Sequence, residues 1–336
     1  MQGIQILRYF AAILVVIMHS HQAWNAKLGL KQYWGFGSVG VDIFFVISGF
    51  VMMYSTVPNN GSLGSRCRSA LVFVKRRLIR VVPLYWIYTL IKLTLVIAIP
   101  SLAVRTLIDP LHVVSSFLFF PFPSPWGNFE PFLPVGWTLN FEMLFYIVFA
   151  AAICLGRNRM VFCFLTFLVI NVVSKYTSFG ALDFYSQSII FEFLLGCLVA
   201  LMVPRLETLK QRVPLGVLVI AIAVTYFYVF DHLMSLDRLI GWGIPSAILV
   251  MGVLCVEPRV MNIPFSGLLK KLGDSSYSLY LVHTFAVPAL VMLFGKLDID
   301  GLFLFMVCSL LFSTFLGLIS YRYVEQPILA RLKKII

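Results

Sequence analysis

The sequence predicts an all-α polytopic membrane protein of about ten transmembrane helices with both termini in the cytoplasm. Three observations carry that prediction. The first is composition: 60% of the 336 residues are hydrophobic, 12% are charged and the mean hydropathy is +0.95, whereas an ordinary soluble domain is about a quarter charged. The second is a succession of predominantly apolar runs, each long enough at about 17 to 25 residues to cross a bilayer as a helix. The third is the placement of 26 Lys and Arg against 14 Asp and Glu. In a soluble chain a net charge of +12 would point to nucleic acid; here the cations fall on alternate connections, so they set topology instead and no nucleic-acid partner is expected.

In order, the runs are 4–22, 39–57, 78–99, 137–155, 159–174, 187–203, 213–230, 238–255, 277–295 and 301–321. The first is too long for a secretory h-region and has no A-x-A-like cleavage site, so a retained span is expected. Between the second and third stand Arg66, Arg68, Lys75, Arg76 and Arg77, with Arg80 opening the third. The same side carries Arg157 and Arg159, then Arg205, Lys210 and Arg212, then Arg259, Lys270 and Lys271, and finally Arg322, Arg331, Lys333 and Lys334. The opposite side holds only Lys27, Lys31, Arg105, Lys175, Arg238 and Lys296. By the positive-inside rule the richer side is cytoplasmic, and one missed or extra span would break the alternation downstream.

The longest external connection, 100–136, ends in FFPFPSPWGNFEPFLPVGW, whose prolines at 121, 123, 125, 131 and 134 exclude a regular helix there. Its aromatic content fits either an interfacial segment or a lid over the substrate. No repeat, low-complexity tail or soluble appendage interrupts the pattern, so residues 1–336 are expected to form one integral domain. Six isolated cysteines, at 67, 154, 163, 197, 255 and 308, show no paired spacing, so neither disulfides nor a zinc site is expected.

Ionisable residues inside such spans usually face a bundle interior or aqueous cavity and are functional candidates. On the expected topology Arg8 lies in the cytoplasmic half of the first span and His19 in its outer half. Eleven residues apart, they share a helix face at a separation of about 16 Å. Glu142 and Glu192 fall in outer halves, Asp42 at the outer edge of the second span, Lys92 outward of the middle of the third and His283 in the inner half of the ninth. Apart from Lys92, this places basic groups inside and carboxylates with imidazole outside. Arginine suits phosphate through paired charge-assisted bonds, and His beside a carboxylate suits proton abstraction from a hydroxyl. Structural readings stand beside these: Arg77 and Arg80 as topological anchors, Arg8 snorkelling, His19 packed, His21 interfacial, Lys92 as a carboxylate's partner and Asp42 as a helix cap.

Six ordered motifs then carry a resemblance. RYFAAILVVIMH, with Arg8 and His19, GVDIFFVISGF (40–50), RRLIRVVPLYW (76–86), PVGWTLNFEMLFY (134–146), GDSSYSLYLVH (273–283) and YVEQP (323–327) resemble the blocks of the acyltransferase 3 family. The match is to its stand-alone members, which O-acylate bacterial exopolysaccharides and other surface glycans. The resemblance implies a multi-pass inner-membrane enzyme that moves an acyl group, most often acetyl, from a cytoplasmic acyl-CoA to a hydroxyl of a glycan or its lipid-linked precursor. It implies acetyl-CoA as co-substrate, no permanently bound cofactor and no metal. The bilayer, the donor and the glycan acceptor are the expected partners, and nothing specifies an oligomeric state. The sequence lacks the fused hydrolase-like domain of longer members, so the chemistry is expected within the membrane core.

On this reading Arg8, Arg77 and Arg80 bind the donor's phosphates. His19 is a general base or covalent acyl carrier, and Glu142 orients or charge-compensates it. Trp137, Tyr277, Tyr280, His283, Glu192 and Asp42 are further candidates for donor or acceptor contact. The competing classes are a transporter or flippase of a lipid-linked glycan, disfavoured by the absence of paired inverted repeats, and a membrane sensor, for which the outer carboxylates would be superfluous.

Overall fold

The computed structural model describes residues 1–30, 35–56, 58–99, 107–156, 158–233, 237–260 and 264–335. Lys31, Arg105 and Arg157, three of the cations counted above, lie outside the described residues. The chain is built of helices joined by turns, and no strand occurs among the described residues. Nine helices there are long and apolar enough to cross a membrane, and the fifth run, Arg159–Ser174, forms a shorter apolar helix of 16 residues. An all-α polytopic membrane protein is therefore what the sequence folds into. Its contacts cluster into two compact units, Met1–Ser55 with Glu192–Tyr323, and Thr56–Phe191 with Val324–Ile336.

In the first unit α1 (Gln2–Lys27) is a single helix without proline. Its first backbone N–H groups have no intrahelical acceptor; those of Gln2 and Gly3 donate to the Glu257 carboxylate at 2.5 and 2.9 Å. A 3₁₀ turn at Phe36–Ser38 leads into α2 (Val39–Ser55). Helix α2 packs against α8 (Glu192–Glu207) through glycine on both sides. A methyl group at Gly49 would overlap the Phe193 carbonyl, and one at Gly196 the Val46 carbonyl. The two backbones thus meet directly, the arrangement small residues permit where lipid supplies no hydrophobic drive for helix association. Helix α9 (Arg212–Leu233) packs on α10 (Ile244–Val260), which is entered through a π-helical turn at Leu239–Gly243. Helices α11 (Ser266–Asp274), α12 (Ser276–Lys296) and α13 (Leu302–Ser320) complete the unit. Helix α1 touches α2, α10, α11, α12 and α13, so it is the hub of this packing.

In the second unit α3 (Leu63–Ala98) has 36 residues, about 54 Å, against a hydrocarbon core of about 30 Å. The expected run began at 78; the helix starts 15 residues earlier at Leu63, behind the Ser62 cap, because its cationic first half is helical without being apolar. Helix α4 (Pro110–Phe117) was not anticipated. Asp109 caps it, its carboxylate accepting from Leu111 N–H at 3.0 Å, and Pro110 occupies its first turn, where the missing N–H costs nothing. The proline-rich stretch after it is irregular, as expected, yet tied down: Lys92 donates to Phe132 O at 2.6 Å, Trp86 Nε1–H to Phe117 O at 2.8 Å, and Phe132 N–H to Ser116 Oγ at 2.7 Å. Helices α5 (Trp137–Leu155), α6 (Arg159–Ser174), α7 (Gly180–Tyr185) and α14 (Gln326–Leu332) make up the rest.

Candidate active site

The first unit brings His19 of α1 and His283 of α12 together. Each imidazole first bonds back along its own helix: His19 Nδ1 lies 3.0 Å from Val15 O, and His283 Nδ1 lies 3.3 Å from Leu279 O. Both acceptors are four residues earlier, so each ring is tethered to its own helix. Between the helices, His283 Nε2 lies 3.2 Å from His19 Nδ1, with ring centroids 5.0 Å apart, so the two rings share one level of the bundle, where the expected span limits put His19 in an outer half and His283 in an inner half. Ala12, Val16, Leu279, Val287 and Leu290 form an apolar cluster that fixes α1 against α12 around the pair. His283 is 1% exposed, whereas His19 is only half-buried.

The tautomers follow from the acceptors. A carbonyl oxygen can only accept, so both Nδ1 atoms carry hydrogen, an assignment made from the bonding network. His283 Nε2 is then an acceptor and shares the His19 Nδ1–H with Val15 O. His19 Nε2 keeps its lone pair, and among the described residues no group bonds to it. That nitrogen is the basic atom of the pair. Arg8, on the same face of α1, donates to Gln5 Oε1 at 3.1 Å. His21 faces elsewhere and meets Asn25, Nδ1 to Nδ2, at 3.4 Å. Tyr277 and Tyr280 are buried on α12, Tyr280 between the rings of Phe44 and His283.

Asp42 is fully buried in the first turn of α2 and forms a two-pronged ion pair with Arg238, Nε to Oδ1 at 2.8 Å and Nη2 to Oδ2 at 3.0 Å. Its carboxylate is therefore engaged by a cation 196 positions away rather than spent on capping its own helix. Glu192, also 0% exposed, opens α8 next to Asp42 and packs on Gly243 of the π-helical turn.

In the second unit Glu142 accepts from the Tyr146 hydroxyl at 2.5 Å, one turn along α5. Arg77 and Arg80 of α3 lie within Coulombic reach of that hydroxyl, and the Arg77 guanidinium sits 5.5 Å over the Phe73 ring. Trp137 packs edge-on against Phe141 at 6.0 Å. Lys92 serves the external connection, bonding Phe132 O and lying 5.2 Å over the Phe132 ring, within Coulombic reach of Glu130.

The sequence reading assigned the orientation of His19 to Glu142; within the first unit the imidazole beside His19 is that of His283. Tyr146 and Arg238 were missed as functional neighbours. The i, i+4 spacing of Glu142 and Tyr146 was a readable signal, whereas nothing local links Asp42 to Arg238.

Comparison with known proteins identifies the family. The chain is 33% identical over 307 residues to the exopolysaccharide production protein ExoZ of Rhizobium meliloti, covering 88% of this chain and 90% of that protein. It is 26% identical over 361 residues to the O-acetyltransferase OatA of Staphylococcus aureus, which covers 97% of this chain but 57% of that protein. No solved structure matches. A family model described as an acyltransferase domain matches residues 1–322, and the chain belongs to that family, the integral membrane acyltransferases of the acyltransferase 3 type.

Proposed function

We propose that this acyltransferase moves an acetyl group from a cytoplasmic acetyl-CoA thioester to a hydroxyl of an exopolysaccharide or another surface glycan, or of its lipid-linked precursor, in the bacterial inner membrane. The observation that carries this reading is His19: a half-buried imidazole whose Nδ1–H is engaged and whose Nε2 lone pair is available. The kinship with ExoZ and OatA supports a glycan acceptor and an acetyl group.

In this reaction the acceptor oxygen attacks the thioester carbonyl while its proton passes to His19 Nε2. The carbon–sulfur bond breaks as the tetrahedral adduct collapses, and the imidazolium returns the proton to the departing thiolate, leaving O-acetyl glycan and free CoA. No acyl-histidine is required, because the available nitrogen performs both proton transfers. Arg77 and Arg80 hold donor phosphates through paired N–H bonds, and Arg8 adds a cation on the face that ends at His19. Glu142 accepts from the Tyr146 hydroxyl, which lies within Coulombic reach of both arginines, and through it helps keep those cations in place. Both termini are cytoplasmic on this reading, following the cation distribution.

The test is transfer of label from radioactive acetyl-CoA to a glycan acceptor by the full-length protein in detergent. His19→Ala is expected to lower kcat by about 10²- to 10⁴-fold, the usual contribution of a general base. Wild-type kcat should fall on acidification, since protonated Nε2 accepts nothing. Wild-type transfer by His19→Ala would remove the reading; glycan translocation without acylation would identify a transporter instead.

A further inference from the structure

We infer that His283 is the positioning residue of His19, accepting the His19 Nδ1–H on its own Nε2 and so, together with Val15 O, holding the opposite nitrogen as the base. The inference rests on the reading of His19 as general base, and it assigns to His283 a part that involves no contact with either substrate. Three observations on the pair carry it. His283 is 1% exposed, so it has no surface to offer an acceptor or donor. Its Nδ1–H is committed to Leu279 O, which leaves Nε2 able only to accept. That acceptor lies 3.2 Å from His19 Nδ1, within hydrogen-bond reach.

The energetic consequence depends on when charge appears. With His19 neutral, Nδ1–H is shared between Val15 O and His283 Nε2 and the bond to the second ring is an ordinary one. Once Nε2 has taken the acceptor's proton, Nδ1–H belongs to an imidazolium, and a bond from a charged donor is about twice as strong as a neutral one. His283 thus stabilises the state formed during transfer more than the resting state, which is the condition for an interaction to raise kcat rather than merely tighten binding. No proton moves onto His283 and none leaves it. Two imidazole nitrogens 3.2 Å apart also suit co-ligands of a metal ion. Here Nδ1 of His19 faces a carbonyl at 3.0 Å and so carries hydrogen, and no group of three His, Cys, Asp or Glu suited to a metal occurs among the described residues.

Two similar-sized substitutions separate positioning from packing. A Gln side chain reaches as far as Nε2 and can present an oxygen acceptor to His19, whereas an Asn side chain reaches only as far as Nδ1. In the labelled-acetyl assay on the full-length protein, His283→Gln is expected to keep kcat within about tenfold of wild type. His283→Asn should lower kcat about 10²-fold with KM for acetyl-CoA and for the glycan unchanged. Nitrogen-15 spectra of labelled histidines should place the His19 proton on Nδ1 in wild type, with a coupling across the hydrogen bond to His283 Nε2. Wild-type kcat in His283→Asn would overturn the inference, as would equal losses in the two variants with melting temperatures unchanged. If His283→Asn does not fold, the wild-type spectrum decides: a coupling between His19 Nδ1 and His283 Nε2 across the shared hydrogen upholds the inference, and hydrogen on His19 Nε2 or no such coupling overturns it. Failure of the underlying reading has a different signature, namely an active His19→Ala whatever occupies position 283.

Discussion

At the scale of single residues, two of the polar constellations in the spans are pairs. Glu142 with Tyr146 and His19 with His283 are both held by hydrogen bonds, and each pair converts an expensive intramembrane group into a defined one. Removing one member leaves the other short of a partner. Tyr146→Phe strips Glu142 of its 2.5 Å donor; a bond to a charged group contributes about 1.5–3 kcal/mol, so transfer is expected to fall by roughly tenfold or more, read as kcat/KM for acetyl-CoA. Arg80→Gln removes a forked cation proposed to bind phosphate and should raise KM for acetyl-CoA at least tenfold. Arg80→Lys should recover only part, because an ammonium group cannot form two parallel bonds. An unchanged KM in Arg80→Gln would leave Arg80 as a topological anchor.

At the scale of elements, glycine and one ion pair decide how the first unit closes. Helices α2 and α8 approach backbone to backbone at Gly49 and Gly196. Gly49→Ala places a methyl group on the Phe193 carbonyl, which can move only with its helix; a loss of about 1–3 kcal/mol is expected, visible as a lower melting temperature in detergent. Gly64 and Gly267 meet nothing within 4 Å, and the same change there should be silent, which makes them controls. Arg238 joins the turn before α10 to α2 through Asp42. Breaking a buried pair costs about 3–5 kcal/mol because it strands the remaining charge. The Arg238 side chain stays 34% exposed, so Arg238→Gln is expected near the low end, roughly 3 kcal/mol, while the double change Asp42→Asn with Arg238→Gln should recover part of it.

For the whole molecule, the testable property is orientation. Cations dominate the connections after α2, α5, α8 and α10 and the C-terminal end, while the intervening connections are poor in them. Reporter fusions at Met1 and Ile336 should therefore both report the cytoplasm, and a fusion in the stretch between α4 and α5 should report the outside. Fusions placing the two termini on opposite sides would break the alternation and, with it, the assignment of Arg77 and Arg80 to the donor's side.

What the sequence determined by itself was the class of the molecule and the inventory of its chemistry. Apolar run length fixes membrane helices because an unpaired backbone is intolerable in lipid, and all ten runs emerge as helices, 137–155 and 159–174 with their expected limits. The charged half of α3 and the short α4 were not legible, since an apolar-run criterion is blind to a helix that is polar or only 8 residues long. The common face of Arg8 and His19 was legible because 3.6 residues per turn is a local rule. What only the tertiary structure decided was partnership. His19 and His283 are 264 positions apart and Asp42 and Arg238 196 apart; no periodicity connects such positions, and their meeting is dictated by which small and apolar residues allow α1, α2, α10 and α12 to pack.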